Sequence, residues 1–249
     1  MLELNDVNVV FNEGTKLEKT ALDHVSVHIK EGEFVTILGS NGAGKSTFFN
    51  VVTGSVPVTS GTITLDGKDI TNEKVHVRSK HIGRLFQNPA QGTAAGLTVE
   101  ENLALTGHAG TSLFSIAVKK KDVELFKEKL KDLHMGLEER LKTPIGLLSG
   151  GQRQAVALIM AVLDPPKLLL LDEHTAALDP KSAKTILEIT DQLVRREKMT
   201  ALMITHNMTD ALKYGDRLLI FNDGKIIKDF SREEKEKLKP ADLLAFYEV

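Results

Sequence analysis

The octapeptide Gly39-Ser40-Asn41-Gly42-Ala43-Gly44-Lys45-Ser46 follows directly on the apolar run Phe34-Val35-Thr36-Ile37-Leu38. It matches G-x-x-x-x-G-K-[ST] in full, between a stretch that reads as a strand and one, through Phe48, Phe49, Val51 and Val52, that reads as a helix. Glycines in such a loop let the backbone curl, so that successive N–H groups and the helix N-terminus point at phosphate oxygens. An ordinary Gly-rich turn is the competing reading, but four fixed positions recur by chance in only roughly one per cent of chains this long. The motif therefore predicts a nucleotide-phosphate seat spanning Gly39, Ser40, Asn41, Gly42, Ala43, Gly44, Lys45, Ser46 and Thr47. Lys45 would reach the β- and γ-phosphates, and Ser46 would hold Mg²⁺ through its hydroxyl.

Around this loop the pattern alternates between periods of two and of three to four. Leu2, Leu4, Val7, Val9 and Phe11, then Val25, Val27 and Ile29, predict two strands before the loop, and Ile63-Thr64-Leu65 followed by Asp66-Gly67 predicts a hairpin. Helical patterns fill Thr98 to Leu105, Val118 to Leu133 and Gly150 to Leu163 with no clear strand among them. Strand-like runs return at Leu168 to Leu171, Ala201 to Ile204, Leu218 to Phe221 and Lys225 to Ile227, and a charged helical tail runs from Arg232 to Phe246. This predicts an α/β layered core interrupted once by a helical insert.

Two further motifs carry chemistry. Leu168-Leu169-Leu170-Leu171-Asp172-Glu173 reads as a strand buried on both faces that delivers Asp172 at its C-terminal edge, where open α/β sheets bind ligands. Asp172 suits Mg²⁺, and Glu173 suits orienting or deprotonating an attacking water. Ser149-Gly150-Gly151-Gln152 fits a capping box, but two adjacent glycines cost a helix about 1 kcal/mol each unless the backbone must be closely approached. The exposed amides there, with the Ser149 hydroxyl, predict a second anion seat.

With Leu148-Ser149-Gly150-Gly151-Gln152 between the P-loop and Asp172-Glu173, the chain resembles the ATP-binding-cassette (ABC) ATPases over essentially its whole length. The resemblance implies a P-loop NTPase (RecA-like) core with an N-terminal antiparallel β-subdomain and an inserted α-helical subdomain. It implies one nucleotide-binding domain over 1–249, with 1–88 and 164–249 as catalytic core and 89–163 as helical subdomain. It also implies a head-to-tail pair of cassettes, the same chain twice or two different ones, in which Ser149 to Gln152 of one subunit close on the ATP of the other. By order along the chain, Gln87 matches the glutamine loop and a Mg²⁺ or water contact, and His206 the switch histidine at the γ-phosphate. Asp179 matches the loop that crosses the dimer interface, and it also fits a helix N-cap before Pro180. Phe11 stands where the family commonly stacks a tyrosine on adenine, although a buried strand-end Phe reads the same way. His174 stands where proline is usual and Ala176 where serine is usual; neither removes a group the chemistry needs, and a competent ATPase is expected.

Composition limits what this ATPase can drive. Of 249 residues, 32 are Lys or Arg and 34 Asp or Glu, for a net charge of −2, so no basic face for nucleic acid is suggested. Cys is absent, which excludes disulfides, thiolate metal sites and cysteine nucleophiles. The start, MLELNDVNVVFNEG, is not a signal peptide, so the mature chain is expected to begin near Met1. The longest apolar stretch, Ala155 to Leu163, is far short of the roughly 20 residues that span a bilayer. A membrane role would therefore come through a partner: a separate permease, and with it a substrate-binding protein, placing this chain at the cytoplasmic face of the membrane. The segment from Gln87 to Leu105, with Gly92 and Gly96 to permit bending, is expected to form part of the permease groove. Within the family the sequence is similar to ATPases of bacterial importers, some linked to aromatic amino acids. The alternative is a soluble ABC ATPase of iron–sulfur cluster or cofactor assembly.

Overall fold

The structure, a computed structural model, describes residues 1–106 and 120–246. Ten strands and nine α-helices occur among the described residues. In chain order they are β1 (Leu2–Phe11), β2 (Lys19–Ile29), β3 (Phe34–Gly39), α1 (Lys45–Thr53), β4 (Ser60–Leu65), β5 (Lys68–Asp69), α2 (Val75–Arg78) and β6 (Ile82–Leu85). There follow α3 (Val99–Thr106), α4 (Lys120–Lys131), α5 (Gly150–Val162), β7 (Leu168–Asp172), α6 (Pro180–Arg196), β8 (Thr200–Ile204), α7 (Met208–Lys213), β9 (Arg217–Asn222), β10 (Lys225–Phe230), α8 (Arg232–Lys235) and α9 (Pro240–Leu244).

The strands form two sheets. One has four strands in the order β2-β1-β4-β5; the other has six in the order β10-β9-β3-β8-β7-β6. In the larger sheet β9, β3, β8, β7 and β6 run parallel, and β10 is an antiparallel edge. Its inner strands β9, β3, β8 and β7 are largely apolar runs because both faces are covered. Leu168 and Leu170 of β7, with Leu202 and Ile204 of β8, pack with Phe48 and Phe49 of α1 and with the inner face of the four-stranded sheet. Leu169 and Leu171, with Ala201 and Met203, pack instead among α3, α4, α5 and α6. Alternate residues of one strand thus feed two different cores, and the four leucines of β7 are all fully buried.

Parallel strands point their C-terminal ends the same way, so the loop after β3, Asp172 of β7 and the residues after β8 converge on one rim of the sheet. The P-loop helix is fixed from the far end. Arg78 of α2, buried, donates to the Val51 and Val52 carbonyls at 2.6 and 2.9 Å and to the Thr71 carbonyl at 2.8 Å, satisfying carbonyls that the end of α1 leaves free. At the C-terminal end of the chain the charged tail is two short helices rather than one. Lys235 of α8 is buried beneath β3, its ammonium donating to Thr36 Oγ1 at 3.1 Å and to the Tyr214 and Gly215 carbonyls.

The two strands before the loop, the Asp66-Gly67 hairpin and the four later strands form as the periodicities predict. Asp66 and Gly67 both have positive φ, 52° and 74°, the geometry of a tight hairpin turn. The helix predicted from Val118 begins at Lys120 among the described residues; Val118 itself lies outside them. Among the elements not predicted are α2 and β6. β6 is four residues, Ile82-Gly83-Arg84-Leu85, too short to show a period and interrupted by glycine and arginine, yet it pairs with β7 over its whole length. No helix among the described residues is long and apolar enough to cross a membrane.

Candidate nucleotide site

The loop after β3 reaches α1 through Gly44, which takes φ 101° as the helix N-cap. A side chain here would suffer twice: the conformation is left-handed, and a Cβ would lie 2.6 Å from the Ala21 carbonyl oxygen of β2. No side chain caps α1, and its first turn carries no acidic residue. The first-turn amides are therefore left for an anion, the arrangement that phosphate requires. Lys45 is buried and donates to the carbonyls of Gly39 and Ser40 at 2.7 and 2.9 Å. Two of its three ammonium protons are thus held by the loop and one remains for a ligand. Burial pulls its pKa below the ordinary lysine range, and the charges of Glu173 and Asp172 act the other way.

Two adjoining cavities open beside this loop and share Asn41, Ser46 and Glu173. One, of about 220 Å³, runs past Gly42, Gly44, Lys45 and Thr47 to Phe11, Lys19 and Ala21 on the four-stranded sheet. Phe11 is 39% exposed, so the buried strand-end reading does not hold; its ring faces the cleft at the end of β1 opposite Lys19. The other, of about 550 Å³, holds Asp172, Gln87, Asn50, Arg84 and Gln91. Ser46, Gln87 and Asp172 thus share one cavity with only hydroxyl, carboxamide and carboxylate oxygens to offer, a donor set that suits Mg²⁺ and not a softer metal.

Glu173 follows Asp172 at the end of β7 with φ 45°, a left-handed conformation uncommon outside glycine, asparagine and aspartate. Its amide donates to the Ile204 carbonyl of β8 at 3.1 Å. That bond turns the chain so that the carboxylate lines both cavities, the kind of outlier that clusters at working sites. His206 follows β8; its Nδ1 is 3.6 Å from Glu173 Oε2, close enough for an ion pair when the ring is protonated but long for a hydrogen bond. A third cavity, of about 520 Å³, extends from Glu173 and His206 to Ala176, Leu178 and Pro180.

His174, next in line, is buried at 1% exposure and contacts Thr190 Oγ1 of α6 at 3.2 Å. Because the Thr190 hydroxyl donates to the Ile186 carbonyl at 2.7 Å, the contact needs a proton on His174 Nε2. Burial pushes the His174 pKa down to about 4. Between pH 6.5 and about 4 the unfolded chain binds a proton there that the folded one refuses. Stability is therefore full above pH 6.5 and falls as the pH drops towards 4, by about 3 kcal/mol at most. Melting temperatures from pH 7 to 4.5 are expected to fall less steeply in His174→Gln, which can keep the bond to Thr190 without titrating; parallel curves would remove His174 from the acid response.

The second glycine motif sits apart from these cavities. Ser149 caps α5 in a closed capping box with Gln152, and Ser149 and Gly150 are exposed. Gly151 has a packing reason that the sequence does not disclose: a Cβ there would lie 2.9 Å from the Ser182 side chain of α6. The close approach inferred from the paired glycines therefore comes, at Gly151, from a neighbouring helix. Gly150 has room for a methyl group, so only there is a ligand-driven reason left. Asp179, exposed, caps α6 by accepting from the Ser182 amide at 3.1 Å, so the cap role is filled. Further along α5, Gln154 is fully buried and donates to the Phe86 carbonyl at 3.3 Å, one residue before Gln87. Lys19, Asn50 and Arg84 are among the lining residues that sequence reasoning missed. Lys19 is recoverable only from its pairing with Phe11 across β1 and β2, the other two only from the spatial meeting of α1, β6 and β7.

The profile of the ABC transporter family matches residues 22–176, more than half of the chain. Over 248 residues the chain is 40% identical to a tyrosine transport ATP-binding protein of Clostridioides difficile (strain R20291), covering 100% of this chain and 99% of the relative. It is 33% identical over 230 residues to an energy-coupling factor transporter ATP-binding protein of Acetivibrio thermocellus, with 90% and 78% covered. Among solved structures, a dimeric ATP-binding cassette in a post-hydrolysis state, bound to ADP and phosphate, aligns with a TM-score of 0.78 at 29% identity, covering 93% of this chain and 99% of that one. A part of an ABC transporter complex from Clostridium perfringens aligns at 0.79 and 27%, covering 98% and 90%. The chain thus belongs to the ABC transporter family as an ATPase subunit, one that binds ATP with Mg²⁺ and hydrolyses it.

Proposed function

We propose that this subunit powers a bacterial importer of a small solute, with an aromatic amino acid such as tyrosine as the leading candidate. The full-length 40% identity to a tyrosine transport ATP-binding protein supports that choice. In this reading two cassettes face head to tail, and Ser149, Gly150, Gly151 and Gln152 of one subunit close on the ATP seated at Gly39 to Thr47 of the other, with Asp179 at the crossing. The observation that carries the pairing is the separation of the two glycine-rich helix ends: α1 opens, uncapped, into cavities lined by Lys45, Asp172 and Glu173, and Ser149 to Gln152 line neither.

Within each site Phe11 stacks on adenine, the P-loop amides and Lys45 hold the phosphates, and Ser46, Asp172 and Gln87 hold Mg²⁺. When bound, the metal would neutralise charge that develops on the phosphate oxygens. Glu173 orients or deprotonates the attacking water, and His206 contacts the γ-phosphate. Positioning and charge stabilisation carry the catalysis, on side chains fixed at the ends of neighbouring strands. Residues 1–88 and 164–249 act as the catalytic unit and 89–163 as the arm that presents Ser149.

The permease docks beside Gln87. An apolar cavity of about 280 Å³ lined by Thr53, Val75, Ile82, Arg84 and Phe86 lies there, next in sequence to the segment 87–105 through Phe86. Val75 is 45% exposed, so a charge there should spare the core. Tagged protein recovered from membranes in mild detergent is expected to bring down a multi-span permease, and Val75→Asp to reduce its recovery by about tenfold with ATP binding kept. Recovery only from the soluble fraction, with cluster-assembly proteins, would replace this reading with the assembly one. A substrate-binding protein and a position at the cytoplasmic face of the membrane belong to the same proposal.

A further inference from the structure

We propose that Arg84 is a positioning residue for the ATPase reaction: a fixed counter-charge that weakens the metal seat at Asp172, so that Mg²⁺ is held firmly only together with nucleotide phosphates. The inference rests on the metal seat proposed above.

Arg84 lies on β6 with its side chain 16% exposed. Its guanidinium is held on three sides. One nitrogen is 2.6 Å from Asp172 Oδ2 on β7, another donates to Asn50 Oδ1 of α1 at 2.8 Å, and the ring of Phe86 lies 5.0 Å from its centre. The Nε proton is buried with no partner among the described residues, so the group is held in place without all of its donors satisfied there. It lines the cavity with Ser46, Gln87 and Asp172, so a full positive charge stands among the residues that would receive the metal.

A bond to Asp172 could act in two ways with opposite signs. It orients the carboxylate, which would favour Mg²⁺, and it cancels much of the carboxylate's charge, which would oppose Mg²⁺. Aspartate is short and has little rotamer freedom to lose, so orientation gains little. The repulsion between a guanidinium and a divalent cation is large in a part-buried site, where the effective dielectric is well below that of water. The charge term wins. Arg84 and Phe86 also line the apolar cavity beside Gln87, so a partner segment entering it meets the residue that sets the charge of the metal seat.

The test uses the full chain with Arg84→Gln, Arg84→Lys and Asp172→Asn, and measures ADP affinity in EDTA and through a Mg²⁺ titration. The readout is the factor by which Mg²⁺ strengthens ADP binding. In Arg84→Gln this factor is expected to rise about tenfold, with a lower Mg²⁺ midpoint, and in Arg84→Lys, which keeps the charge, to stay near that of the native chain. An unchanged or smaller factor in Arg84→Gln would overturn the inference and leave Arg84 as a brace or an orienting strut. Asp172→Asn reports on the seat itself: a factor equal to the native one would mean that the metal does not sit at Asp172 and would remove the premise. Should Arg84→Gln fail to fold, Arg84→Met keeps an unbranched chain against Phe86 and carries the same expectation.

Discussion

Glu173→Gln is expected to lower ATP turnover by about 10²–10⁴-fold, the range typical of a lost general base, with ATP affinity changed no more than a few-fold. Glutamine has almost the same shape and the same backbone demands at φ 45°, so the substitution isolates the carboxylate's ability to accept a proton. Lys45, Ser46 and Asp172 stay in place, so the partners proposed above for the phosphates are kept. With hydrolysis blocked and binding intact, the proposed head-to-tail pair should accumulate with ATP and Mg²⁺, giving a species of twice the mass on gel filtration. Phosphate release and equilibrium nucleotide binding measured on one preparation settle the matter. Turnover within tenfold of the native enzyme would take the proton-accepting role away from Glu173.

The largest structural effect is expected at Gly44. In Gly44→Ala the left-handed conformation costs about 1–2 kcal/mol, and pushing Cβ to 2.6 Å from the Ala21 carbonyl adds an overpacking cost of about 1–3 kcal/mol. The sum of about 3 kcal/mol corresponds to a melting temperature lower by roughly 6–12 °C for a chain of this size. Relief would require moving the P-loop away from β2, which should also abolish tight nucleotide binding. Gly42→Ala is the matched control, because φ is 85° there but nothing among the described residues lies within 4 Å of the new methyl group. It should show only the conformational part, about 1–2 kcal/mol. Equal losses in the two variants, followed by thermal melting, would mean that the contact with Ala21 does not matter.

The features readable in the sequence are those set by chemistry at fixed spacing or by strong periodicity. The P-loop declares itself because helix-end amides, a lysine and a hydroxyl must stand at fixed separations. The leucines of β7 declare themselves because both faces of that strand are buried. Asp66-Gly67 is visible because a two-residue hairpin needs positive φ twice. What stayed hidden is tertiary. β6 has one arginine and one glycine in four residues, and Arg84 gains meaning only when β6 lies beside β7 and α1 supplies Asn50. The reason for Gly151 is Ser182, 31 positions further along, and nothing in the spacing points to it. Phe11 fitted a buried or a cleft-facing ring equally well from the sequence, and its exposure at the end of β1 answers that.

The helix that begins at Ser149 is gripped at both edges of its first turns. At Gly151 it presses on Ser182, within the first turn of the helix that Asp179 caps, and at Gln154 it donates to the backbone that leads into Gln87. A rotation of α5 would therefore pull on the backbone leading into Gln87 and push on the start of α6 beside Asp179, the residue proposed above to border a neighbouring subunit. In a pair of such chains each subunit would sense the nucleotide of the other through a rigid rod about four residues long.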